Sequence, residues 1–535
     1  MARATDGTQP AFEQWGVAEF DFPGPTDGDP FGVRLAADLE GPGTALRVTG
    51  FYDGDGTYRL RHMPDAPGSW TLRTVSDVPE LDGLTRSYTC LPPRSGVHGP
   101  VSVTAGAQFT HADGTPFRPL GTTCYAWIHQ PAALQRQTLR TLAESPFNKV
   151  RMCVFPKHYR YNEREPDLYP YPLRRIGSSA WHLEDGGIDA GWDFDWDRFA
   201  PAFFRHLERR IVDLAALGIE ADVILFHPHD RWGFSRRTPD QDERYLRYLM
   251  ARLAPHRNVW WSLANEWDLL QTKSEARWER ILEIVAGADP YGHPRSVHNC
   301  FRFFDHSHPL VTHASIQHQE LDRVVVWRDR YTKPVVVDEF GYEGDLAEEW
   351  GNLSAAELVH RSWQVSVGGG FPTHGETYQD PGDVLWWSHG GTLHGESAER
   401  LAFLRAVLDD APFPLEPVLT SLPTLMALMG RREDHTLEQY LALMRERAAD
   451  LLAASPPFVA SFPGLERPHE FQLLYLGPRQ PRSLDVLVPT GETYRAEVLD
   501  TWGMTIHRLS DAVRHGDTLE LPGHPYLAVR LTRVG

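Results

Sequence analysis

Two short segments carry side chains that packing alone does not call for. Ser262-Leu-Ala-Asn-Glu-Trp267 closes an apolar run that begins at Val259, and Val335-Val-Val-Asp-Glu-Phe-Gly341 closes a run of valines. Each sets a glutamate, Glu266 and Glu339, where a strand-like pattern gives way to a loop. When strands of one barrel end on the same face, carboxylates at their ends can converge across its mouth. Such a pair divides the labour of glycosidic bond cleavage: one carboxylic acid protonates the leaving oxygen, and one carboxylate attacks or activates water. The plainer alternative makes both glutamates ion-pair partners of Arg151.

Other residues could serve such a centre. Asp230 and Trp232 follow the third strand pattern, where they would contact sugar hydroxyls and a sugar face, or build a turn. Glu376 follows the eighth as a hydroxyl acceptor, and Trp386 is placed as the floor of a sugar site, with Trp387 equally a core residue. Trp127, His227 and His318 complete the expected lining. His227, His229 and Asp230 lack a third firmly placed partner group, so no metal site is expected. Glu343, four residues after Glu339, is expected to be solvated. The four cysteines are scattered, with no CxxC, which fits a reducing compartment; Cys124 and Cys153 read as buried hydrophobes.

These side chains need a scaffold. The 535 residues suffice for two to four domains. With 41% hydrophobic, 23% charged and 11% aromatic residues, the composition is that of a globular protein, and no apolar run is long enough for a membrane span. The net charge of −19 comes without a basic stripe, which argues against nucleic acid as a partner. The N-terminus shows no apolar signal-peptide core, so a cytoplasmic location is expected. Residues 1–100 alternate polar and apolar positions between turn clusters, the pattern of an immunoglobulin-like β-sandwich. From 101 to 415, eight short apolar strands, the first at Phe117-Arg-Pro-Leu-Gly and the sixth at Leu310-Val-Thr-His, alternate with helical patterns. This predicts a (β/α)₈ barrel, with a doubly wound sheet as the alternative. A helical connector over 416–455, with a helix at Leu437–Leu452, then leads to a C-terminal β-sandwich at 456–535. The long segment Pro156–Trp196 is rich in Tyr and Trp, including Trp181, and reads either as a lid over the barrel mouth or as a self-packed loop.

The Asn265–Glu266 and Glu339 motifs, with Asn148-Lys-Val-Arg151, resemble glycoside hydrolase clan A. The flanking segments resemble a bacterial architecture in which an immunoglobulin-like domain and a small β-domain, both long of unknown function, enclose such a barrel. His227–Gly233, His374-Gly-Glu-Thr-Tyr378, Trp386–Gly391, Glu497–Trp502 and Leu521–Tyr526 carry that likeness. The resemblance implies a retaining glycosidase acting without cofactor on an oligosaccharide or glycoside. Glu266 is its acid/base and Glu339 its nucleophile, with Asn265 on the hydroxyl beside the anomeric carbon and Arg151 keeping Glu339 ionised. Exo action is expected from the crowded rim, and a transglycosylase or a dead carbohydrate-binding barrel would use the same scaffold. Many clan members bring a tyrosine to the nucleophile after the sixth strand; Thr312–His318 has none, which leaves His313 or His318 for that place. The clan spans many sugars, apiose among them, and the motifs do not choose one.

Overall fold

The computed structural model describes residues 9–104, 106–177, 191–379, 385–419, 421–430 and 460–534. Its centre is a sheet of eight strands: Gly121–Thr123, Lys149–Cys153, Glu220–Ile224, Val259–Ser262, Arg295–Ser296, Ala314–Gln317, Val335–Glu339 and Phe371–His374. We number them one to eight in that order. Strands one to five pair in parallel, and strand one also pairs with eight, eight with seven and seven with six. Between five and six a single parallel bridge, His298 with Ser315, spans the remaining gap. The sheet is therefore a nearly closed barrel. Its strands are buried on both faces, which is why they read as continuous apolar runs.

Helices cover the outside. Pro239–Leu253 shows how the local sequence sets one up: Thr238 and Gln241 form a reciprocal capping box, Pro239 sits in the first turn, and Tyr245, Leu246, Leu249 and Leu253 are buried on one face. Three expectations need correction. Residues 297–313 contain no helix, so the fifth unit lacks one. The sixth strand starts at Ala314, because the amide of Thr312 bonds the Arg295 carbonyl at 2.9 Å and its hydroxyl accepts from the Arg295 amide at 2.7 Å. Likewise Phe117 belongs to a small antiparallel sheet (Val101–Thr104, Gln108–His111, Pro116–Phe117) rather than to the barrel. There Phe109 and Phe117 pack on Trp260, Val336 and Phe371 and close one end of the barrel.

The chain before the barrel forms a five-stranded and a three-stranded sheet packed around Phe22, Leu39, Leu60, Trp70 and Tyr88. Beyond it, a six-stranded and a two-stranded sheet enclose a second apolar core, and Leu473 and Tyr475 pack on Trp363 of helix Ala355–Val367. The expected helix at Leu437–Leu452 lies outside the described residues.

Buried charges join the N-terminal sandwich to the barrel. Arg61 meets Glu19 at 2.7 Å and Glu208 at 2.9 Å, while Arg252 meets Glu208 at 2.5 Å and Asp53 at 2.8 Å. Glu208 thus separates two guanidiniums that water cannot reach. Glu208→Ala leaves them facing each other, and removing one partner of a buried pair costs about 3–5 kcal/mol. Thermal or urea unfolding should show a loss of that size; a change below about 1 kcal/mol would mean the joint is solvated and adds little.

Candidate active site

The geometry around the two glutamates starts one layer down. Lys149 on strand two is fully buried and reaches Asp222 of strand three at 2.6 Å and Asp338 of strand seven at 3.0 Å. Arg151, two residues on and on the same face, is equally buried. Its Nε lies 3.8 Å from Asp222 and 3.6 Å from Asp338. Its outer nitrogens point the other way: Nη1 lies 3.4 Å from Glu339 Oε1, and Nη2 donates to Asn265 Oδ1 at 3.2 Å. One guanidinium therefore links the inner aspartates to the ends of strands four and seven.

Tyr125, just past strand one, has its hydroxyl between Glu339 Oε1, in very close contact, and Asn265 Oδ1 at 2.9 Å. A phenol has one proton to give, and the closer carboxylate takes it. Burial and the neighbouring Glu339 charge push the phenol well above its ordinary range, so it stays a donor. Tyr342 stands beside Glu339 as well, and burial raises its phenol too. His298, past strand five, accepts the Glu266 amide at Nδ1 (3.4 Å) and presents Nε2 to Glu339 Oε1 at 3.6 Å. Burial, then the Arg151 charge, lowers this imidazole to about 4.

Glu266 is held differently. Its backbone is left-handed, with φ 54° and ψ 55°, a costly conformation for a residue with a side chain. The amide bonds of Glu266 and Trp267 to His298 hold it there. Its Oε2 meets His229 Nε2 at 3.0 Å. Burial raises the carboxyl, but the His229 bond and the His229, Lys157 and His298 charges outweigh it and draw it well below the carboxylate range. Burial, then Lys157, lowers His229 in turn, so imidazole and carboxyl titrate as a unit. The side chains of Glu266 and Glu339 are 13% and 12% exposed, so both are largely withdrawn from solvent.

The structure therefore brings Glu266, Glu339, Asn265 and Arg151 together. It takes the other expected residues elsewhere. Asp230 is buried and its carboxylate accepts the amides of Trp232, Gly233 and Ser235 at 2.8, 3.1 and 2.6 Å, which builds a turn and leaves nothing for a sugar. Trp232 is buried among Tyr169, Trp192 and Phe234. His227 bonds the Phe155 carbonyl at 3.1 Å. Trp127 is core, with Nε1 on Met152 Sδ at 3.3 Å, and Trp386 is core, with Nε1 on the Thr122 hydroxyl at 2.8 Å. Its neighbour Trp387 faces the site, against Tyr125, Tyr159 and Tyr342. Neither histidine after strand five's loop replaces the missing tyrosine: His313 is buried against Phe109 and Trp260, and the His318 ring packs on Phe303 and Trp327 while its Nδ1 accepts the Glu320 amide. Tyrosines from beyond strands one and seven take that role. The long aromatic segment divides: Tyr169, Tyr171, Trp192 and Trp196 pack with Trp232 and Phe234, whereas Tyr159 and Tyr161 reach Trp387. Trp181 lies outside the described residues.

Glu376 and Glu343 are both buried, contrary to the expected roles of hydroxyl acceptor and solvated residue. Glu376 accepts the amides of His394 and Gly395, and Glu343 those of Glu396 and Ser397, so together they anchor the start of helix Ser397–Asp409. With His374 they offer three metal-ligand atoms within 4.8 Å of one another, the one such group among the described residues. Four backbone amides already occupy the oxygens of the two carboxyl groups, and neither group is left unpartnered. The arrangement fits an anchor better than a cation site.

A family model described as an apiosidase-like catalytic domain matches residues 104–413. Models of two domains of unknown function match residues 11–77 (DUF5060) and 462–532 (DUF5605). A crystal structure from Bacteroides vulgatus, described provisionally as a glycoside hydrolase, is 34% identical, covers 98% of this chain and 100% of its own, and superimposes with a TM-score of 0.85. Two more distant structures share the fold at 12% identity. One described as a glycoside hydrolase has a TM-score of 0.57, covering 81% of this chain and 97% of its own. A Bacteroides vulgatus glycoside hydrolase of family 5 has a TM-score of 0.56, covering 81% and 94%. No protein with a curated description matches.

Burial, opposed by the two amide bonds and aided by Glu343, raises the Glu376 carboxyl from 4.5 to about 7. The folded state thus binds this proton more tightly than the unfolded chain. The stability it contributes is full below about 4.5 and is lost as pH rises to about 7, a change of about 3 kcal/mol. Glu376→Gln cannot titrate. Relative to wild type, its stability in urea unfolding should improve from pH 5 to pH 8 by up to that amount; parallel curves would show that Glu376 is ionised throughout.

Proposed function

The chain belongs to the apiosidase-like family, a glycoside-hydrolase-like barrel, and we propose that it cleaves terminal glycosidic bonds with retention through Glu266 and Glu339. The observation that carries this reading is the buried guanidinium of Arg151, which holds Glu339 at the end of strand seven and Asn265, the neighbour of Glu266, at the end of strand four. Arg151 and Tyr125 give Glu339 two donors and leave it a carboxylate able to attack. In the first step Glu339 bonds to the anomeric carbon as the glycosidic C–O bond breaks, and Glu266 delivers a proton to the departing oxygen. In the second, Glu266 takes a proton from water, which attacks the same carbon and releases Glu339. Asn265 Oδ1 accepts from Arg151, which leaves its amide nitrogen to hold the hydroxyl beside the anomeric carbon. The two carboxyl side chains, each about an eighth exposed, support exo action on one sugar at a chain end. Residues 101–415 would form the catalytic unit between sandwiches at 1–100 and 456–535.

Glu266 cannot act as an isolated acid, since its surroundings favour the carboxylate. The proton belongs to the Glu266–His229 pair, and that pair gives it up as pH rises. Because His229 is lowered, kcat/KM for a glycoside with a poor leaving group should fall as pH rises through an apparent pKa below the ordinary histidine value of about 6.5. A nitrophenyl glycoside, which needs little protonation, should show a flatter limb. A limb centred above pH 7.5 would remove His229 from the proton's path.

Glu339→Ala should lower turnover at least about 10²-fold. The cavity left by the nucleophile admits azide, which should restore cleavage of an activated aryl glycoside and give a glycosyl azide of inverted configuration. Azide rescue of Glu376→Ala and not of Glu339→Ala would overturn the assignment. A panel of nitrophenyl pyranosides and furanosides identifies the sugar on which these measurements run.

A further inference from the structure

Lys157 lies on the loop after strand two and is 2% exposed. Among the described residues its ammonium makes no hydrogen bond and no ion pair; its neighbours are rings. Nζ sits 3.6 Å from the centroid of Tyr125, 5.0 Å from that of Tyr159 and 5.6 Å from that of Trp387. These rings locate it. The Tyr125 hydroxyl bonds Glu339, and the Tyr159 ring lies 5.7 Å from His229, which holds Glu266. The ammonium therefore stands close enough to both glutamates for its charge to act on each.

Ring faces recover only part of the hydration an ammonium loses on burial, and its three N–H groups still lack acceptors. Burial accordingly lowers its pKa, against the pull of Glu266 and Glu339. A count of charges shows what it is for. Lys149 and Arg151 face Asp222 and Asp338, two against two. His229 faces Glu266. Arg151 also reaches Glu339, so three carboxylates share two cations, and Lys157 is the third cation. An acidic sugar would leave the site one negative charge in excess, whereas a neutral sugar leaves it balanced and brings hydroxyl oxygens to the unmet donors.

We propose that Lys157 is a substrate-contacting residue of the catalytic pocket, donating hydrogen bonds to hydroxyls of a neutral terminal sugar while its charge offsets that of Glu339. This rests on the glycosidase reading above and adds to it the class of sugar and a third charged group in contact with it.

The test pairs the residue with the hydroxyl. Lys157→Met keeps the length and apolar stem of the side chain and removes its donors and charge; Lys157→Gln keeps two donors and removes the charge. Both are assayed on the preferred nitrophenyl glycoside and its single deoxy analogues, with thermal unfolding as the check on folding. Wild type should lose at least about tenfold in kcat/KM on the analogue lacking the contacted hydroxyl, and Lys157→Met should lose about as much on the intact sugar. Lys157→Met should then be insensitive to that same deletion, so that the two losses do not add. Lys157→Gln should recover part of KM and little of kcat. Because Lys157 helps lower Glu266, the alkaline limb of kcat/KM should also move to higher pH in both variants, a shift that a packing role would not produce. Additive losses on every analogue, or a folded Lys157→Met with unchanged kcat/KM, would overturn the proposal. So would a wild-type preference for glycuronides over their neutral counterparts. If wild type cleaves no glycoside in the panel, the glycosidase reading fails first, and the proposal fails with it.

Discussion

An ammonium and a guanidinium sealed inside the barrel opposite two aspartates set the position of everything above them. None of these four groups can turn to water, so each must keep its partner. Lys149 and Arg151 come from strand two, Asp222 from strand three and Asp338 from strand seven. The hydroxyls of Ser315 on strand six and Thr373 on strand eight complete Asp338. Five strands are thereby tied at one level. Arg151 transmits that level upward, because a planar guanidinium with its inner edge committed has little freedom left for its outer edge. Glu339 and Asn265 are placed by a charge layer that takes no part in the chemistry itself.

The aromatic residues follow a similar division between support and contact. Trp232, Trp192 and Tyr169 stabilise the wall behind the site, where Asp230 and its turn would otherwise have only backbone to hold them. Tyr159, Trp387 and Tyr125 turn toward the carboxylates. The Lys157 ammonium lies against the same three rings, so aromatic and charged groups share this part of the site.

The barrel and its two glutamates were legible because each glutamate closes an apolar run just where a strand gives way to a loop. The supporting residues were less so, for reasons that differ. Trp386 and Trp387 are adjacent on a short helix, so their side chains diverge, and no periodicity over four residues tells which one faces inward. Asp230 carried a sign that could have been used: an aspartate three residues before a glycine is a turn former, and Gly233 has φ +95°. Tyr125 was hidden because the first strand was placed four residues early, which put the tyrosine in a loop of no evident purpose. Lys157 has ordinary sequence surroundings, and although His229 stands in a marked motif, only the fold brings it to Glu266. Glu343 looked solvated because it stands in a loop-like segment, and Glu376 looked like a sugar contact because it follows a strand; their parallel pairing and the helix start that they hold come from contacts across the chain.

The unit without a helix gives the barrel a seam. Strands five and six are joined by one bridge, and the residue on strand five's side of it is His298. That same imidazole accepts the Glu266 amide, keeps its left-handed backbone in place and faces Glu339. One residue thus bridges the two strands with its backbone and links the two carboxylates with its ring. A fluctuation that parts the seam also slackens the hold on both glutamates, so the amides of residues 297–299 and the competence of the site would rise and fall together. In such a cylinder, the stiffness of one joint sets the fraction of time for which the chemistry is assembled.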